Sequence, residues 1–588
     1  MTHWDGHAAC HLQFIERYRG CSECVENSQG AYPTQTRNQT VNRNYLMLSL
    51  LGLSTCTAFT ADETTTSWTG FRNGGASTVQ GELPRQWAPD TNIAWQTETD
   101  GYGQSAPVIF GNQVIVTSVI GDQKEQCAIT AYALHDGQQL WQSVFNAAHQ
   151  GPSSYMMARA APTPVVDQQA VYAFFESGDV AAIDLAGKPL WQRDLTTDYG
   201  SFQNNHGLGS SPAQTDDLIF LNIEHKGPSL LLALSKRTGK TQWKAERPSG
   251  SSWSSPIVAG EGIQQQVVVS SGGHLSGYNA RNGEKLWSLE GLEGNSIPSP
   301  CALGNFIFTG ARIPEFGSAE EAAKSNLCVR ITGDASQPYE LCWRAAKAVS
   351  DYASPVVDGE QVYLLNKVGV LYCVDAMSGE TIYQQRLRTE CWATPVVTEA
   401  GIYFFGKDGT TRIVKRGPEF EILASNQLWD PEHPPAPEHY REVNSGGHSH
   451  GQLAADSVAQ NKTNGSDSVP DKTATPAASG GGRAGGMLTR LMTDDKNKDG
   501  ILQADELSPD FQPMLKRVDT NGDGALDQAE LKAMADSFAK RREGSQTSTR
   551  DPIVYGAAAV DGALVIRTGT RLYCVSVPDT DEVAGANQ

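Results

Sequence analysis

Thr163 to Gln192 reads TPVVDQQAVYAFFESGDVAAIDLAGKPLWQ. It opens on a hydroxyl residue and Pro, runs into a short apolar strand, turns at Asp167, alternates through a second strand, turns at Gly178, makes a third strand, and closes on Gly187 and Trp191. Period-two alternation between Gly and polar clusters marks short strands. The order recurs along the chain. A small residue or Thr followed by Pro begins an apolar run at Ala106-Pro107, Thr163-Pro164, Ser211-Pro212, Ser255-Pro256, Ser299-Pro300, Ser354-Pro355 and Thr394-Pro395, at spacings of 57, 48, 44, 44, 55 and 40 residues. Five units close on a Gly four residues before an aromatic: Gly137 and Trp141, Gly187 and Trp191, Gly239 and Trp243, Gly283 and Trp287, Gly379 and Tyr383. Four short strands in each ~40 to 45 residues are the signature of a propeller blade. The Gly permits the turn into the outer strand, and the ring supplies an apolar wedge between blades.

The blade count follows from the ends. Tyr555 to Val577 supplies an eighth set of strands without an outer strand, while Asn92-Ile93-Ala94-Trp95-Gln96 is an outer strand with no set before it. The two ends therefore share a blade, and closing the ring removes exposed edges. The fold expected is an all-β, eight-bladed β-propeller, with seven blades as the alternative. These blades resemble the family of propellers with pyrroloquinoline-quinone-type repeats, whose pattern is Ala-x-Asp-x-x-x-Gly-x-x-x-Trp. Ala182-x-Asp184 leading to Gly187 and Trp191 is one residue short of it, and Asp375 leading to Gly379 and Tyr383 has the full spacing. The resemblance covers roughly residues 68 to 430 and 552 to 577. It implies the fold strongly and function weakly, because the family holds both calcium-dependent quinoprotein dehydrogenases and scaffolds such as the lipoprotein propeller of outer-membrane protein assembly.

The 588 residues carry 66 Asp plus Glu against 46 Lys plus Arg, a net charge of −20. That excess opposes binding to nucleic acid, whose phosphates are held by Lys and Arg. With 58 Gly and 29 Pro the composition favours many tight turns and argues against a long helical bundle. The longest apolar run, Tyr45 to Leu53 after Arg43, is too short to span a bilayer and reads as a signal-peptide core. Leu53-Ser54-Thr55-Cys56 approaches an acylation box, so Cys56 is a candidate lipid anchor. A periplasmic, cell-surface or secreted location follows. Of the 11 cysteines, seven lie beyond this leader and read mostly as small buried residues. Cys328 and Cys342 bracket a hairpin and are close enough in sequence to pair in an oxidising compartment.

After Trp429 the propeller pattern stops for a Pro-rich, then Gly/Ser-rich tract that reads as a linker. From Met487 to Glu543 the apolar spacing turns helical around two loops. DKNKDGILQADE carries Asp495, Asn497, Asp499, Ile501, Gln503 and Glu506 at loop positions 1, 3, 5, 7, 9 and 12; DTNGDGALDQAE repeats this with Asp519, Asn521, Asp523, Ala525, Asp527 and Glu530. Gly500 and Gly524 stand at position 6, where the turn is sharpest. This is the EF-hand pattern, and the hard cation it suits is calcium, held by carboxylates, a backbone carbonyl at 7 and a bidentate Glu at 12. The domains expected are a leader (1–61), blades 1 to 7 with the closing strand (62–430), the linker (431–486), a small all-α EF-hand module (487–543) and the final blade (551–578).

The segments just before the inner strands should ring the channel mouth. They bring Arg159, Asn204, Asn205, His206, Trp253, Asn295, Asp351, Tyr352, Glu390 and Trp392 into one neighbourhood, where the inserted module also emerges. No catalytic residue is assigned. The chain has no Cys-Cys pair, which dehydrogenases of the resembled family commonly place over the quinone, and no Cys-x-x-Cys-His for haem. The expected function is a calcium-binding scaffold for a protein or polysaccharide partner. A quinone-dependent dehydrogenase, or another enzyme with its site in the channel, is the alternative, and pyrroloquinoline quinone the less favoured cofactor.

Overall fold

A computed structural model describes residues 67–439 except 152–156, 205 and 315–316, together with 501–503, 506, 518–519, 522–533, 549–550 and 552–576. Eight antiparallel sheets follow one another as blades. Blade 1 runs from its inner strand Val108–Phe110 through Gln113–Ile120 and Gln126–Ala133 to the outer strand Gln139–Asn146. Blades 2 to 7 repeat that order, with inner strands Val165–Val166, Ala213–Gln214, Ile257–Ala259, Cys301–Leu303, Val356–Asp358 and Val396–Thr398. Blade 8 takes Gly556–Val560, Ala563–Arg567 and Arg571–Ser576 from the far end of the chain and its outer strand, Ile93–Glu98, from the near end. The pairing runs from Ile93 opposite Val575 to Glu98 opposite Arg571. Eight blades, closed by the two ends, is the arrangement the repeat implies.

The recurrent hydroxyl-Pro step has a physical reason. The N–H of Ala106 donates to Thr163 Oγ1 (2.9 Å), Thr163 to Ser211 Oγ (3.0 Å), Ser211 to Ser255 Oγ (2.9 Å), Ser255 to Ser299 Oγ (2.8 Å), Ser299 to Ser354 Oγ (3.0 Å) and Ser354 to Thr394 Oγ1 (3.3 Å). Each hydroxyl thus satisfies a buried N–H of the preceding blade, forming a belt around the channel. At the seam between blades 8 and 1 the belt gives way to small residues. A Cβ on Gly556 would lie 2.6 Å from that of Ala106, so the two inner strands meet only because Gly stands there. Ser255→Ala leaves the Ser211 N–H buried without an acceptor and is expected to cost about 1–3 kcal/mol. Urea unfolding of the full chain checks this, and a change within 0.5 kcal/mol, the ordinary range of a surface site, would contradict it.

Outer strands lock blades through their Trp. A Cβ added to Gly137, Gly187, Gly239, Gly283 or Gly379 would lie 2.4–2.9 Å from Trp95, Trp141, Trp191, Trp243 or Trp343, in each case the Trp of the preceding blade. The indole N–H of each also donates into that next blade, to the carbonyls of Leu134, Leu185, Lys236, Ala280 and Ala376 at 2.7–3.0 Å. At Trp141, Trp191 and Trp243 the wedge read from the sequence is also a hydrogen-bonded staple, whereas the Trp287 indole donates to Gln266 Oε1 within its own blade (2.7 Å).

The segment from Ser67 to Val79, unanticipated in the repeat pattern, lies along the ring axis. Ser67 and Trp68 pair with Phe110 and Ile109 of blade 1, and Thr69 O accepts from Val166 N of blade 2 and Gln214 Nε2 of blade 3. Gly75 abuts Ile257 of blade 4; Arg72 donates to the carbonyls of Pro300 (blade 5) and Pro355 (blade 6); Ser77 and Val79 bond to Val397 of blade 7. Only an axial plug can touch so many inner strands at once. Arg72 is 3% exposed, and burial pulls its guanidinium down to about 10.

Candidate functional site

In a propeller, the outer-to-inner crossovers and the turns between second and third strands share one face. Backbone bonds tie them here, as in Leu195 N to Gly178 O, Leu292 N to Gly273 O, Leu387 N to Gly369 O and Leu428 N to Gly409 O. Every described residue among those predicted to ring the mouth comes from these crossovers. Their roles divide.

Several are spent on the scaffold. Asn295, 1% exposed, donates to Ser270 Oγ (3.1 Å) and His274 O (2.9 Å) and accepts from Gly273 N (3.0 Å). Asp351 accepts from Lys367 N (2.7 Å), and Asn204 from His206 N (3.1 Å). Asn205 lies outside the described residues. Nearby, His225 Nδ1 accepts from the N–H groups of Gln203 and Gly227, both at 3.1 Å, which fixes the neutral Nε2–H tautomer. Burial lowers its affinity for a second proton, so it ties a crossover down rather than serving as a base.

Aromatic rings form the part that faces outward. Tyr352 lies 5.2 Å from Trp392, Trp392 6.4 Å from Tyr555, and Tyr555 6.4 Å from Tyr102, whose hydroxyls meet at 2.9 Å. Lys407 Nζ sits 4.7 Å above Trp392 and 3.0 Å from Glu390, and the Arg159 guanidinium 4.0 Å above Tyr102. Tyr352, Trp392, Tyr555 and Lys407 are half-buried, while Arg159 and Tyr102 lie beneath them. Burial first, then Tyr555, push the Tyr102 phenol well above its usual range, so it stays neutral. Sequence reasoning found Tyr352, Trp392 and Arg159 but missed Tyr102, Tyr555 and Lys407. Tyr555 directly precedes an inner strand and carries the same positional signal; Lys407 sits in a turn between strands and does not.

The long crossover from blade 7 to blade 8 is clamped beside this band. Glu438, whose side chain is wholly buried, accepts from Thr568 Oγ1 (2.5 Å), Gly569 N (2.9 Å) and both N and Oγ1 of Thr570 (3.1 Å each). Glu438–His439 pairs with Thr549–Arg550, so the insertion leaves and returns at one place on the crossover face. The band thus combines half-exposed rings, a surface ion pair and a fixed backbone. It can hold a partner by stacking and apolar contact.

The family model described as outer membrane protein assembly factor BamB matches residues 76–204, 200–308 and 339–447, together more than half of the chain. The chain belongs to this family. Among curated relatives, the outer membrane protein assembly factor BamB of Shewanella oneidensis is 24% identical over 281 residues, covering 45% of this chain and 66% of the relative. That of Alkalilimnicola ehrlichii is 25% identical over 183 residues, 31% of this chain and 42% of the relative. The chain thus spans about two-fifths to just under two-thirds of these relatives' length. The solved BamB of Moraxella catarrhalis shows a TM-score of 0.41 at 14% identity, covering 56% of this chain and 87% of the other. The quinohemoprotein alcohol dehydrogenase of Comamonas testosteroni shows 0.35 at 11%, covering 59% and 76%.

Of the calcium ligands expected in this BamB-family chain, Ile501, Gln503, Glu506, Asp519, Asp523, Ala525, Asp527 and Glu530 are described, and Asp495, Asn497, Asp499 and Asn521 lie outside the described residues. Leu502 and Gln503 pair antiparallel with Leu526 and Ala525, with both Leu side chains buried. Asp519 accepts from Gly522 N (2.6 Å) and Gly524 N (2.9 Å), and Glu530 Oε2 from Asp527 N (3.2 Å). Gly524 has φ +80°, the left-handed turn expected at position 6. Among the described residues no three or more His, Cys, Asp or Glu side chains converge as a metal cluster, and no helix is long and apolar enough to cross a membrane.

Proposed function

We propose that the chain is a binding scaffold of outer-membrane protein assembly, working on the envelope side and holding a protein partner on its crossover face, with a calcium-binding pair in its insertion. The observation that carries this reading is the aromatic band Tyr352–Trp392–Tyr555, half-exposed over a buried Arg159–Tyr102 base. Such amphipathic rings on a rigid floor are what protein interfaces use as anchors. The family's printed description points to the same class of partner. The axial plug supports a scaffold over a dehydrogenase, because Ser67 to Val79 occupy the channel where a quinone would need a floor. Tyr45 to Leu53 acts as the export signal in this reading, and Cys56 as its candidate anchor.

The double substitution Tyr352→Ala/Trp392→Ala tests the face. Loss of two central anchors should lower the affinity for co-purifying outer-membrane assembly components at least tenfold, since hot-spot truncations cost about 2 kcal/mol or more each. Unchanged retention, with the melting transition intact, would contradict the reading.

For calcium, the donor chemistry fits: carboxylate oxygens at positions 1, 5, 9 and 12 of the second loop are hard ligands, and its backbone is held against the first loop by the Leu502–Leu526 pairing. Calorimetric titration of the chelator-stripped full chain should register two sites, and Glu530→Ala should remove one of them. No heat up to millimolar calcium, or the same stoichiometry in the variant, would refute the ligand assignment.

A further inference from the structure

Cys328 and Cys342 lie on the third and outer strands of blade 5, Leu327–Asp334 and Gln337–Arg344. The register pairs Cys328 with Trp343 and Val329 with Leu341, leaving Cys342 as the extra residue of a bulge opposite Cys328. In such a bulge two residues of one strand face a single residue of its partner. Strand neighbours at this spacing are within the Cα separation a disulfide requires. Both side chains belong to the same apolar cluster, Cys328 fully buried and Cys342 half-buried against it. Both are thiols in this structure. Of the other described cysteines, all buried, Cys301 lies on the inner strand of the same blade, two strands away from Cys328 with Phe308 between them, and Cys127, Cys373, Cys391 and Cys574 lie in other blades or their crossovers.

We propose that Cys328 and Cys342 are a redox-modifiable pair that closes into a disulfide across the blade 5 bulge when the chain meets a disulfide oxidant. Cys342 is the entry point. It is the only one of the seven described thiols that is half-exposed, and the Cys328 thiol, by hydrogen-bonding to its sulfur, holds it below the usual range. Burial pushes Cys301, Cys373 and Cys574 up to about 12 and Cys127 and Cys391 higher still. With oxidised glutathione as oxidant, the Cys342 thiolate attacks one glutathione sulfur and expels a reduced glutathione. Cys328, losing its proton, then attacks Cys342 Sγ and expels the second. One S–S bond breaks and one forms; two protons leave the protein, and its two electrons end on the two glutathione thiols.

The test is alkylation and peptide mass spectrometry on the full chain after incubation with oxidised glutathione, denatured without reductant. The expected result is a linked Cys328–Cys342 peptide, two hydrogens lighter than its parts and separated by dithiothreitol, with the five other described cysteines alkylated singly. In Cys342→Ser, a surface-side change that leaves the core thiol in place, Cys328 should be recovered alkylated and unlinked. The proposal is overturned if both cysteines are alkylated separately after oxidation, if Cys342 persists as a glutathione adduct, or if Cys328 links to another cysteine in the variant.

Discussion

Trp243→Ala is expected to destabilise the propeller by about 3–5 kcal/mol, the range for deleting a large buried aromatic. The ring is 8% exposed, packs 5.7 Å from Phe220 in its own blade and covers Gly283 in the next. Its indole N–H gives 3.0 Å to Ala280 O, so truncation also leaves a carbonyl of the next blade without its donor. The same contact can be attacked from the other side. Gly283 has φ +75°, and a Cβ there would lie 2.4 Å from the Trp243 ring. Gly283→Ala therefore combines a left-handed backbone penalty of about 1–2 kcal/mol with overpacking of about 1–3 kcal/mol. Urea unfolding followed by circular dichroism measures both. A loss below about 0.5 kcal/mol for Trp243→Ala would mean that the Trp does not staple blades.

A chain beginning at Thr99 is expected to lose its cooperative unfolding transition. It lacks Ile93–Glu98, so Arg571–Ser576 becomes an open edge and blade 8 is no longer joined to the near end of the chain. It also lacks Trp95, whose N–H reaches Leu134 O at 2.8 Å across the blade 8 to blade 1 seam, and the axial plug with its Arg72 bonds to blades 5 and 6. Ring closure and channel filling go together. The combined loss should exceed about 5 kcal/mol, the lower end of a whole domain's stability. A truncated protein that melts in one transition within a few degrees of the full chain would contradict it.

The blades were legible because a closed ring imposes the same local problem eight times, and the solutions repeat: a hydroxyl before Pro to take the neighbour's N–H, a Gly under the neighbour's Trp. Ser211, Ser255 and Ser299 carry that signal in their spacing alone. The plug was not legible. Residues 67–79 solve a problem that arises once, filling an axis, and their partners range from Phe110 to Val397, so no period marks them. The rim was half legible. Trp392 and Tyr352 were found because a crossover position predicts the face, but position does not separate Asn295 and Asp351, spent on backbone N–H groups, from side chains that face outward. The calcium reading of the two acidic loops rests on residue type at fixed spacing alone, and it stays a proposal for the calorimetric titration to decide.

The measurement that tests the central claim most directly is site-specific photo-crosslinking in the intact envelope, with a photoreactive phenylalanine placed at Trp392 on the crossover face or at Leu190 on an outer strand, which is 52% exposed. A partner-binding crossover face predicts a discrete adduct with an outer-membrane assembly protein at position 392 and none at 190. Capture at 190 with nothing at 392 would contradict it.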